Sequence, residues 1–134
     1  LDPLRRVAPE GYASQRLEQF IEESEVLVPE AAAALNRGDI DAFSSIVLRS
    51  QDLAERKLGN QIPETVELAR SARALGARAA SAFGAGFGGS VWALVSRADA
   101  AAFARQRKHE YEAMYPQHAA TTLVSEPGAP ANRL

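Results

Sequence analysis

The sequence contains no cysteine. That excludes a disulfide framework, thiolate zinc sites and a cysteine nucleophile, and it agrees with a reducing, cytoplasmic setting. The chain also lacks any apolar run near the roughly 18 residues that a membrane span requires, and its N-terminus has no basic-then-apolar leader pattern. A soluble protein is expected. Neither sign of charge dominates: 15 Lys and Arg against 17 Asp and Glu leave a formal net charge of -2. Bulk electrostatics therefore give no reason to bind nucleic acid or an anionic membrane, and any anion site must be local. Histidine is scarce as well. His109 and His118 flank Pro116 without a partner at metal-ligand spacing, so no metal site is indicated.

What remains is a chain of 134 residues, 46% hydrophobic and 24% charged, in the ordinary range for one globular domain. At that size roughly 65 to 70% of the unfolded surface can be buried, enough for a core without staples. Residues 1–12 hold two prolines and a glycine and read as an irregular N-terminal segment, with the look of a cut end. From Ala13 the apolar positions Leu17, Phe20/Ile21, Leu27/Val28, Ala31 and Leu35 recur at helical spacing. They predict one helix over about 13–36, kinked at Pro29. Gly38-Asp39 joins a stop signal to a start signal, and Ile40, Phe43, Val47, Ala54 and Leu58 mark the buried face of a second helix that ends at Gly59-Asn60. Pro63 opens a third helix, which Gly76 closes. Residues 79–83 and Ser90–Ser96 read as two strands joined by a glycine-rich turn. A helix over Ala98–Tyr115 follows, then a last strand over Ala120–Ser125 and a loose C-terminal arm, residues 126–134. The globular part, residues 13–125, is expected to be an α+β domain with helices packed on one face of a small antiparallel sheet.

One stretch calls for a chemical explanation: Gly84, Ala85, Gly86, Phe87, Gly88 and Gly89, followed by Ser90. Glycines in such density let a backbone reach positive φ and approach a ligand closely, and successive exposed N–H groups can form an anion-binding concavity. The competing reading is a tight connection between two strands, with glycine serving geometry alone. Read literally, the stretch satisfies the dinucleotide fingerprint G-x-G-x-x-G. That pattern, however, needs a helix starting in the loop and an acidic residue about 20 positions on, whereas a strand follows here and the nearest downstream acid is Asp99. The protein-kinase glycine loop fails in turn, because the next lysine is Lys108 on a helix rather than a strand lysine soon after the loop.

With its flanks, the run from Ala80 to Val95 resembles the third conserved motif of GHMP kinases, and galactokinases most closely. Ala34-Leu35-Asn36-Arg37-Gly38-Asp39-Ile40-Asp41-Ala42-Phe43 reproduces a second galactokinase segment at the same spacing. Ser50-Gln51 stands where that family has Ser-His, Pro63-Glu64 matches its Pro-Glu, and Ser90 replaces the usual cysteine. The sequence departs from the family at Ser81 and Phe83, where galactokinases place a basic and a hydroxyl residue. The resemblance implies a ferredoxin-like GHMP C-terminal domain from an ATP- and Mg2+-dependent kinase that phosphorylates a sugar at its anomeric hydroxyl. The implied partner is an N-terminal GHMP kinase domain of the same chain, which carries the catalytic groups. None of those is expected in this segment, whose glycine loop forms one wall of the interdomain site. Alone, the domain should be inactive, bind ATP weakly, have a mobile glycine loop and be able to self-associate through its exposed face. Two alternatives stand beside this: a non-catalytic galactokinase-like sugar sensor and an α+β association module.

Overall fold

The computed structural model describes residues 11–128, so most of the irregular N-terminal segment and the end of the C-terminal arm lie outside the described residues. The chain divides into two compact units, the first ending at Leu94 and the second starting at Val95.

The first unit opens with α1 (Tyr12–Glu22), a π turn (Glu23–Leu27) and α2 (Val28–Asn36) in one unbroken helical run. Just before Pro29, where a kink is expected, the run takes a π turn. Proline has no N–H, and its ring crowds the carbonyl four residues earlier. In the π turn the Val28 N–H reaches back five residues to the Glu23 carbonyl, widening the helix where the ring must fit. Of the expected stripe Leu27 is buried, whereas Phe20, Val28 and Leu35 are exposed and Gln19 and Ala34 are buried.

Helix α2 ends as its sequence dictates. Gly38 takes φ 68°, and the N–H groups of Gly38 and Asp39 bond the carbonyls of Leu35 and Ala34 at 3.0 and 2.9 Å, the paired closure of a Schellman motif. Asp39 then caps α3 (Ile40–Leu53), its Oδ1 accepting the Ala42 N–H at 3.0 Å. Replacing Asp39 with alanine is expected to cost about 1 kcal/mol, read as a lower urea midpoint at unchanged slope.

A second π turn (Ala54–Leu58) extends α3 and closes on Gly59 at φ 64°. Helix α4 (Pro63–Ala74) starts at a proline, which wastes no donor there, and its first turn is fixed by Thr65 Oγ1, which accepts the Ile62 N–H at 3.3 Å. The chain then forms an antiparallel hairpin, β1 (Ala79–Phe83) with β2 (Ser90–Leu94), in which Ala79 faces Leu94 and Phe83 faces Ser90. Helix α2 packs on α3, α3 and α4 pack on β1, and α4 also meets β2. Ala34, Ala69, Ala72, Ala77, Ala79 and Ala80 are all buried, and side chains this small let helix and strand approach closely. Trp92 sits opposite Ser81 in the hairpin and stacks obliquely on Phe43 of α3, with centroids 6.4 Å apart. It is packing, as expected for a large aromatic on a strand.

The second unit contains α5 (Ala100–Met114). The strand expected over Ala120–Ser125 does not form, and the sheet has two strands. Side chains of α5 hold this backbone instead: Glu112 accepts the Ala120 N–H at 3.1 Å, and Lys108 donates to the Ala120 carbonyl. Leu123 and Val124 are exposed. The hydrogen bond from Lys108 and then that from Ala120 hold the Glu112 carboxyl below the usual range, against a smaller opposing effect of burial.

Candidate functional site

The site grows out of the β1–β2 connection. The hairpin register ends at Phe83 and Ser90, leaving residues 84–89 as a six-residue loop in which all four glycines have positive φ. Phe87 joins them at φ 60°, a left-handed conformation that costs a non-glycine residue about 1 to 2 kcal/mol. Something must therefore hold it there.

That something is Asn60, the residue after the glycine that ends the second π turn. It is 6% exposed. Its carbonyl accepts the Phe87 N–H at 2.5 Å, and its Nδ2 donates to the Ala85 carbonyl at 3.2 Å. Gly86, between these two anchored residues, lies so close that a Cβ built there would come within 2.6 Å of Asn60 O, Nδ2 and Cγ. Glycine is required at this position both for space and for its φ of 87°. Asn60 is itself held, because Gln61 Nε2 donates to its Oδ1 at 2.9 Å and Thr65 Oγ1 donates to Gln61 Oε1 at 2.9 Å. The central three residues are thus tied to the helical layer. With the Phe87 amide committed to Asn60, the amides of Gly84, Ala85, Gly86, Gly88 and Gly89 make no hydrogen bond among the described residues. Unpaired amides in this density suit an anionic ligand.

Behind the loop, β1 is fixed by Gln51 of α3, which is 4% exposed. Its Oε1 accepts from Ser81 Oγ at 2.8 Å and from the Ala82 N–H at 2.9 Å, while its Nε2 donates to Glu55 at 2.8 Å. All its polar atoms are used, as a buried amide requires. This arrangement separates the two residues at which the sequence departs from the galactokinase pattern. Ser81 is buried and turned to Gln51, whereas Phe83, at the end of β1, is exposed along with Phe87 and Ser90 at the loop.

Other candidates fall away from the loop. Arg78 pairs with Asp41 at 2.6 Å, and it precedes β1, one strand length or about 17 Å from the glycines. His118 lies against Tyr111 and Tyr115, with ring centroids 6.4 and 6.2 Å away. Among the described residues no three His, Asp or Glu side chains group to hold a metal ion, and no helix is long and apolar enough to cross a membrane. Sequence reasoning located the loop but gave no role to Asn60 or Gln51. Gln51 had left a mark: it is a polar residue on the apolar stripe formed by Val47, Ala54 and Leu58. Asn60 had left none beyond its place after a glycine.

A family model described as GHMP kinases C terminal matches residues 31–113. The match covers more than half of the chain and takes in Gln51, Asn60 and the whole glycine loop. No curated protein matches the chain.

Proposed function

The chain belongs to the GHMP kinase C-terminal family, and on that premise we propose that it is the C-terminal half of an ATP-dependent sugar kinase of galactokinase type. In this reading the loop of residues 84–89 forms one wall of an active site completed by an N-terminal domain of the same protein, and the product is a sugar phosphorylated at its anomeric hydroxyl. The observation that carries it is the loop itself: five amides without a partner among the described residues, in a loop bonded to Asn60 beside an exposed strand end. Such a surface suits phosphate oxygens. ATP would supply the transferred phosphoryl group, and this chain's residues would position and neutralise rather than react. The ligands for Mg2+ and the catalytic acid–base groups belong to the N-terminal domain in this assignment.

Phe83 supports a second reading. An exposed phenylalanine where galactokinases carry a hydroxyl residue is compatible with a protein that binds a sugar and does not phosphorylate it. Incubating the full-length protein with Mg-ATP and a panel of sugars, galactose first, separates the two. Sugar-dependent ADP release is expected for the kinase, and saturable sugar binding without ADP release would leave the sensor. Calorimetry on the isolated domain should show no micromolar binding of Mg-ATP, and tight binding would overturn the assignment of half a site to this chain.

A further inference from the structure

We propose that Asn60 is the positioning residue of the glycine loop, setting the shape in which the loop meets its ligand without touching the ligand itself. The inference rests on the kinase reading for its functional consequence but on geometry alone for the clamp. A six-residue connection with four glycines has little intrinsic preference for one conformation, and the hairpin ladder stops at Phe83 and Ser90. Between those points the hydrogen bonds that tie the loop to the rest of the described protein both come from Asn60, one to Ala85 and one to Phe87. They bracket Gly86, whose missing Cβ admits the Asn60 side chain against the backbone.

The clamp is anchored at its far end. The Leu58 carbonyl accepts from Tyr12 Oη at 3.3 Å, Lys57 pairs with Glu18 at 3.0 Å, and Gly59 closes the π turn with its N–H on the Ala54 carbonyl at 2.9 Å. Asn60 thus transmits the position of α1 and α3 to the loop. Its grip also divides the loop's donors: the Phe87 amide is consumed, and those of Gly88 and Gly89 are left for a ligand. A loop held in this way offers its amides in one arrangement, and positional precision of this kind is what a site acting by orientation needs.

The test uses the full-length protein carrying Asn60→Asp, which keeps the shape and replaces the donor facing the Ala85 carbonyl by an acceptor, and Asn60→Ala as a second variant. Amide hydrogen exchange is followed by mass spectrometry on peptides covering the loop, β1 and α3. Exchange of the Phe87 amide, which is bonded to the Asn60 carbonyl, should rise about tenfold, the equivalent of one lost hydrogen bond, while β1 and α3 keep their protection. In steady-state assays with Mg-ATP and the accepted sugar, kcat and kcat/KM should fall together, as for an interaction expressed in the transition state. Unchanged loop exchange in both variants overturns the proposal, and so does a rise spread evenly over β1 and α3, which would make Asn60 a general stability residue. Raised exchange confined to the loop, in a protein that turns over no sugar, upholds the clamp and defeats the kinase reading.

Discussion

Replacing Gly86 with alanine is expected to detach the glycine loop from Asn60 and to abolish most of the activity of the full-length protein. Two costs act together. Alanine at φ 87° is strained by about 1 to 2 kcal/mol, and its Cβ would overlap the Asn60 carbonyl and side-chain amide. Neither neighbour is a flexible chain end that can swing aside. The cheapest relief is for the loop to lift away, giving up both Asn60 hydrogen bonds at about 1 kcal/mol each. A total near 3 kcal/mol is therefore expected from urea unfolding, with a loss of activity of about 100-fold, as for a misplacement of about 1 Å at a site that works by orientation. Gly89→Ala is the matched control. Its φ of 97° brings the same strain, but nothing lies within 4 Å of the added Cβ, so its stability cost should stay near 1 to 2 kcal/mol. Equal costs for the two variants would show that the contact between Gly86 and Asn60 contributes nothing.

Gln51→Leu should be about as damaging for a different reason. Leucine fills a similar volume but offers nothing to the Ala82 N–H, Ser81 Oγ or Glu55 carboxylate that Gln51 now satisfies. Ser81 has a fallback in the Ala82 carbonyl at 3.1 Å. The Ala82 amide loses its side-chain acceptor, and an orphaned donor costs about 1 to 3 kcal/mol. With the lost Glu55 bond, roughly 3 kcal/mol is expected in urea unfolding. Ser81→Ala should cost only about 1 kcal/mol, because Gln51 keeps its bond to the strand. A Gln51→Leu protein as stable as the parent would mean that β1 is held by its alanine packing alone.

The punctuation of this fold was legible in the sequence. Gly38-Asp39, Gly59-Asn60, Pro63 and Gly76 end or start helices where the structure does, because capping and turn chemistry act over three or four residues and leave a local mark. The hairpin and its glycine loop were legible for the same reason. The phase of the first helical run was not. An i to i+5 turn has no residue signature of its own, and on both sides of it the buried positions, Gln19 and Ala34, fall one residue before the expected Phe20 and Leu35. The expected strand at Ala120–Ser125 has apolar residues of the right kind, but a strand needs a partner, and the Ala120 backbone is bonded to Glu112 and Lys108 instead. Asn60 and Gln51 act on backbone 25 to 31 residues away, a separation that no local pattern encodes.

Helix α2 folds back on α3 across a three-residue link, α4 is followed directly by the strand it packs on, and β1 pairs with β2 across the glycine loop. Closures this short cost little chain entropy and complete within microseconds. Longer searches are needed to bring α1 onto the second π turn, to set α3 against β1, and to let Asn60 reach Ala85 and Phe87. Asn60 can find its partners only when the end of α3 and the hairpin both exist. The shape of the glycine loop is therefore a tertiary property, conditional on the helix end and the hairpin being in place together.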